Sequence, residues 1–321
     1  METVFVFSRR VVELRSNTPA RLRAVVAMTA AAVLVAGGCS RGESTQARKA
    51  AAGPPTVVAS TDVWGSVAQA VAGDDAPVSS IIKSGSADPH SFEPSPVNAA
   101  QLADASIVVY NGGGYDPWVD AVLKNHPDVP SVNAYSLRNA AGEPQPANEH
   151  VFYDVGTAVA VAADLATKLA AADPDKADHY GSRAQEFARR ADTVRAAEDR
   201  LRTAHPGAAV VATEPVAHYL LSATGLTDKT PPGFTAAVEQ DTDPAPADMA
   251  AVLDLITSRS VAAVIFNDQT VTAATRQVRA AAEKAGVPIV SVTETLPAGV
   301  DYLTWQTDTV TRLTDALREN R

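Results

Sequence analysis

The sequence predicts an α/β protein of two lobes, each a mainly parallel sheet flanked by helices, joined by one long helix. Three observations predict it. Short apolar runs alternate with amphipathic stretches from Thr56 onward, the pattern of a parallel sheet covered on both faces. The alternation gives way after about residue 172 to one sustained helical period. It then restarts beyond His205-Pro206-Gly207. No short repeat of the solenoid type is present.

Each element follows in order. Residues 56–60 read as a short buried strand and 63–71 as an amphipathic helix stopped by Gly73-Asp74. Residues 78–82 read as a strand, 96–103 as a helix, and 105–110 as a strand broken by Gly112-Gly113-Gly114. A helix is expected over 117–124, a loop over 138–149, and a helix over about 155–171. The linking helix is expected over about 174–203, with Tyr180, Ala184, Phe187, Ala191, Val194 and Leu201 on one buried face. At about 30 residues it would measure roughly 45 Å. The second half reads as strand 208–212, helix 216–224, strand 262–266, helix 272–285, strand 289–292 and helix 304–318. The acidic, Pro-rich stretch 241–248 reads as a solvated loop. Lobes are therefore expected over 56–172 and 206–321, with 173–205 linking them.

The first 38 residues differ from the rest. Arg9, Arg10, Arg15, Arg21 and Arg23 precede an uncharged apolar run over 24–36. That is a positive n-region and a short h-region, as in a signal peptide. Ala36-Gly37-Gly38-Cys39-Ser40 follows and resembles a bacterial lipobox, with Ala36 where Leu or Val is usual. Cys39 is the only cysteine, so no intrachain disulfide can form. Cys39 is the expected lipidation site, and 39–55 is the expected flexible tether.

Composition excludes some functions. The formal net charge is −10 and no long basic run exists, so a nucleic-acid surface is not expected. The chain has no Gly-rich phosphate loop, no Gly-x-Ser-x-Gly elbow and no thiol after Cys39. Histidines and carboxylates at loop positions remain. His90 stands in Asp88-Pro89-His90-Ser91-Phe92-Glu93-Pro94, where prolines stiffen the turn after a strand. His150 stands in Asn148-Glu149-His150-Val151-Phe152-Tyr153-Asp154, just before a helix. Glu214 follows a strand in Thr213-Glu214-Pro215, the end at which α/β sheets place ligands. Imidazole and carboxylate together suit Zn²⁺, and Mn²⁺ when carboxylates are numerous. His218, one turn after Glu214, is a weaker alternative.

These segments resemble the cluster A-I solute-binding proteins of zinc and manganese ABC transporters. The run Asp88–Pro96 is similar to that family's first ligand motif, Asn148–Asp154 to its second, and Val210–Pro215 with Tyr219-Leu220 and Gly225-Leu226 to its third segment. The resemblance extends over 56–317. It implies two lobes on a rigid helix, a buried metal between them, and small closure motions. It implies His90, His150 and Glu214 as ligands, with a fourth after a later strand. Asp268 is the candidate for that place, with Asn267 and Gln269 behind it. It also implies a monomeric, extracytoplasmic lipoprotein that delivers Zn²⁺, or Mn²⁺, to a membrane permease, and no enzyme. The rival expectations are a metal-free adhesin-like lipoprotein and a zinc hydrolase; for the latter no His-Glu-x-x-His helix is present.

Overall fold

In a computed structural model the described residues are 53–83, 92–140, 148–240 and 242–319. The signal segment, Cys39 and His90 lie outside them. In the first lobe β1 (Val57–Thr61), β2 (Val78–Ile82), β3 (Ile107–Tyr110) and β4 (Ser131–Asn133) alternate with α1 (Asp62–Ala72), α2 (Pro96–Asp104), α3 (Pro117–Leu123) and α4 (Ala134–Ala140). Next come α5 (Val155–Ala172) and the long α6 (Ala177–Ala204), entered through a 3₁₀ turn at Pro174–Lys176. The second lobe holds β5 (Ala209–Ala212), α7 (His218–Ala223), β6 (Thr227–Asp228), α8 (Pro232–Glu239), α9 (Pro246–Thr257), β7 (Ala263–Asn267), α10 (Ala273–Ala285), β8 (Ile289–Val292) and α11 (Tyr302–Glu319).

Both sheets are parallel throughout. Their orders are β2-β1-β3-β4 and β6-β5-β7-β8, the same wiring twice. Side chains alternate across each sheet. Val57 and Ala59 of β1, with Val210 and Ala212 of β5, enter one core that runs through both lobes. Val58 faces a smaller cluster with Ile82, Leu102 and Trp118. Val211 faces another with Phe234, Val252 and Val278. The shared core is closed by α11, whose Tyr302 and Trp305 pack with Phe152 and Tyr153 of the first lobe.

The structure departs from the sequence expectations at the short strands β4 and β6 and at α8 and α9, where no helix is expected. β4 and β6 span three and two residues, too few to show a period. The expected loop at 138–149 begins as helix, because α4 continues to Ala140. Of the acidic stretch, 242–245 is loop, and Pro246 opens α9 at a position where a missing N–H costs nothing.

The linking helix carries one buried acid. Glu198 is among the buried residues of α6, and its Oε1 has no hydrogen-bond partner among the described residues. Burial pushes its carboxyl from 4.5 up to about 7, and the Asp154 carboxylate adds to the rise. Between those values the folded chain holds a proton that the unfolded chain releases. Stability therefore falls as pH rises from about 4.5 to about 7, and stays low above it. Glu198→Gln is expected to raise stability at pH 8 by about 2 kcal/mol and to change little at pH 4.5. Urea unfolding of both proteins at the two pH values measures this; an equal gain at both would remove the carboxyl as its cause.

Candidate metal centre

The strand order of the second sheet places β7 between β5 and β8. Glu214 lies two residues beyond β5, Glu294 two residues beyond β8, and Asn267 is the last residue of β7. The central strand therefore ends between two carboxylates. The Asn267 amide donates to Oε2 of Glu214 and, at 2.9 Å, to Oε1 of Glu294. Its own oxygen accepts the Gln269 backbone N–H at 3.1 Å, and its backbone N–H donates to Thr213 Oγ1 at 3.0 Å. Gln269 fixes the loop after β8. Its side chain accepts the N–H groups of Glu294 and Thr295 and donates to Thr295 Oγ1.

His150 reaches the same place from the first lobe. Its Nε2 stands 3.8 Å from Oε2 of Glu294. Its Nδ1 is 3.1 Å from Oδ1 of Asn148, which also accepts the His150 N–H at 2.8 Å. Since that amide oxygen can only accept, Nδ1 carries a proton, and Nε2 is the ring nitrogen turned toward the carboxylate. The ring lies edge-on to Tyr115 and Phe152, each 5.7 Å away between centroids. Asn111, just past β3, steadies the loop from below by donating to the Glu149 carbonyl at 2.8 Å. The turn after Asn111 needs glycine: Gly112 has φ +74°, and a Cβ there would meet the Asn133 amide at 2.4 Å. Asp116 closes that turn by accepting the N–H groups of Asn111 and Gly112, and burial pushes its carboxyl up to about 6.

The lobes are bonded together around this point. Asn148 donates to the Pro215 carbonyl at 3.0 Å, and Tyr219 donates to the Asn148 carbonyl at 2.6 Å. Tyr153 donates to the Thr293 carbonyl at 2.9 Å, and the Leu296 N–H to Asp62 at 3.1 Å. The carboxyl ends of the two sheets thus meet across the centre.

Of the residues expected from the sequence, His150 and Glu214 come to this centre, while His90 lies outside the described residues. Asp268 does not join them. It is exposed and paired with Arg279 at 3.5 Å. One residue beyond Asn267, it falls on the opposite side of an extended backbone, so its side chain leaves the crevice. The carboxylate in the crevice is Glu294, which sequence reasoning missed. The available signal was position: Glu294 stands as far beyond its strand as Glu214 does beyond its own. His218 is exposed, edge-on to the Tyr219 ring.

The relative exposures are 2% for His150, 8% for Glu214, 1% for Asn267 and 3% for Glu294. Two carboxylates withdrawn from water and sharing one amide place negative charge in a poorly solvated crevice. A divalent cation is the charge that suits them, and the imidazole lone pair supplies nitrogen for a transition metal. Glu149 and Glu239 also bring oxygens within 4.8 Å of a His150 ring nitrogen and of one another. Glu239 is exposed at the end of α8, so that set lies toward solvent and the buried set is the stronger candidate.

The family described as zinc-uptake complex component A periplasmic (ZnuA) matches residues 57–316. The metal ABC transporter substrate-binding lipoprotein FimA of Streptococcus parasanguinis is 26% identical over 175 residues, which is 50% of this chain and 54% of FimA. The manganese-binding lipoprotein MntA of Halalkalibacterium halodurans is 28% identical over 160 residues, 48% of this chain and 51% of MntA. The chain spans about half the length of these curated relatives. Among solved structures, the periplasmic zinc binding protein TroA of Treponema pallidum has a similar fold, with a TM-score of 0.70 at 20% identity over 83% of this chain and 99% of TroA. Since the family match runs from β1 into α11 and takes in both sheets, the chain belongs to the family of zinc-uptake complex component A periplasmic proteins.

Proposed function

We propose that this chain is the extracytoplasmic binding component of a metal ABC importer, taking up a divalent transition metal and passing it to a membrane permease. The observation that carries the proposal is the buried cluster in which Glu294 faces His150 and shares the Asn267 amide with Glu214, where the two sheets' carboxyl ends face each other. His90 is the further ligand that the resemblance implies. Imidazole donors and the order of affinities among first-row metals favour Zn²⁺ over Mn²⁺. The relatives bear names from both sides, since MntA is manganese-binding and TroA zinc-binding. Lipidation at Cys39 would hold the protein on the outer face of the cell membrane, where a monomer serves the permease.

Metal analysis of protein purified without chelator tests this reading. One tightly bound metal ion per chain and no hydrolytic turnover are expected. His150→Ala should weaken Zn²⁺ binding by at least about a hundredfold, because losing a ligand exceeds the tenfold to hundredfold cost of losing an outer partner. A wild-type protein that binds neither Zn²⁺ nor Mn²⁺ would leave the adhesin-like reading standing instead, and turnover would point to an enzyme.

A further inference from the structure

We infer that Asn267 is a positioning residue that limits each carboxylate to one metal-binding oxygen and thereby sets which metal the site prefers; this rests on the metal-binding reading above. The orientation of its amide follows from the network. The Gln269 N–H can only donate, so it must meet the Asn267 oxygen, which turns the NH₂ group toward the two carboxylates. The NH₂ group has two hydrogens. They serve Oε2 of Glu214 and Oε1 of Glu294, with a longer shared contact to Thr270 Oγ1 at 3.3 Å. Rotating the amide by half a turn would set its oxygen against two carboxylate oxygens, which the charges oppose.

An oxygen that accepts from this amide is directed at Asn267, which leaves the other oxygen of the carboxylate as the one to meet a cation. For Glu294 the geometry shows the outcome directly, because Oε2, the oxygen not bonded to Asn267, is the one facing His150 Nε2 at 3.8 Å. The two carboxylates together then offer two oxygens to a cation instead of four. Zn²⁺ is content with four ligands in a tetrahedron. Mn²⁺ favours six, largely oxygen, and would need both carboxylates to bind through both oxygens. The clamp therefore acts on the count of donors, not on their identity. It is itself rigidly held: Asn267 is buried, ends the central strand, and is fixed through its backbone N–H to Thr213.

The test is competitive titration of the full chain with Zn²⁺ and Mn²⁺, for wild type and Asn267→Leu, which keeps the branched outline of the side chain and removes the donors. Release of the clamp should lower Zn²⁺ affinity by about tenfold or more, as for loss of other outer-shell partners, while Mn²⁺ affinity holds or rises. The Zn²⁺ to Mn²⁺ ratio should therefore fall by about tenfold. Equal losses for both ions would mark Asn267 as merely structural and overturn the inference. Co²⁺ absorption gives a second readout that needs no variant. Wild type should show the intense visible bands of a four-coordinate ion; the weak bands of a six-coordinate ion would overturn the inference even if Asn267→Leu fails to fold. Failure of wild type to bind any of the three ions would instead sink the metal-binding reading, and this inference with it.

Discussion

Glu294→Gln is expected to weaken Zn²⁺ binding by about a hundredfold or more, whereas Asp268→Ala should leave it within about twofold. The two carboxylates stand on either side of the same crevice wall. Glu294 is buried beside His150 Nε2 and is held in place by Asn267 and Gln269. Asp268 faces solvent on Arg279. The Gln side chain keeps the shape and a hydrogen-bond acceptor for Asn267, so the loss measures charge and not packing. The metal-free protein should respond in the opposite direction. Removing one of two buried carboxylates relieves their repulsion, so the apo form of Glu294→Gln should melt higher than apo wild type. Calorimetric titration and thermal melts with and without Zn²⁺ report both effects. A loss confined to Asp268→Ala would place the ligand at Asp268 and overturn this assignment.

Trp305→Ala is expected to destabilise the whole protein by about 3–5 kcal/mol, the range for truncating a large aromatic in a packed core. Trp305 is fully buried on α11, with ring centroids 4.8 Å from Tyr153 and 6.1 Å from Tyr302. Tyr302 and Gln306 of the same helix donate to the Phe152 carbonyl at 2.8 and 3.1 Å. The helix of the second lobe thus supports the segment that carries His150. Through Tyr153 it also supports the Thr293 carbonyl, next to Glu294. Metal affinity should fall together with stability, and unfolding should stay a single transition by far- and near-ultraviolet circular dichroism. Two separate transitions would mean that the lobes own independent cores.

Most of the fold was legible because its signals are periodic. The buried strands at 57–61 and 263–267 and the long apolar stripe on α6 each repeat often enough to be read. β4 and β6 were not legible, because three and two residues are too few to show a repeating alternation. The site divided along similar lines. His150 and Glu214 sit in runs with local features, whereas Glu294 sits in Val292-Thr293-Glu294-Thr295, which has no pattern of its own. Only the pairing of β8 with β7, and of β7 with β5, brings Glu294 to Glu214. That is sheet topology, a relation between segments some 80 residues apart that no local window contains. Asn267 and Gln269 were in view as alternatives to Asp268, but as ligands. Their amides turn out to hold the carboxylates and the loop after β8.

The repeated wiring of the sheets extends to their tips. An asparagine stands at the end of the third strand in each half, Asn111 just past β3 and Asn267 closing β7, and each sends its amide to a neighbouring chain segment. Open α/β sheets form a crevice where strand order reverses, between the first and third strands in this wiring. Here two such crevices are pressed mouth to mouth, and the aromatic seam on α11 keeps them so. Among the described residues, a metal held at Glu214, Glu294 and His150 would sit between these crevices with side chains of both halves around it. On the metal-binding reading, the way in and out would lead through the loops at the rims, which carry His150, Glu214 and Glu294.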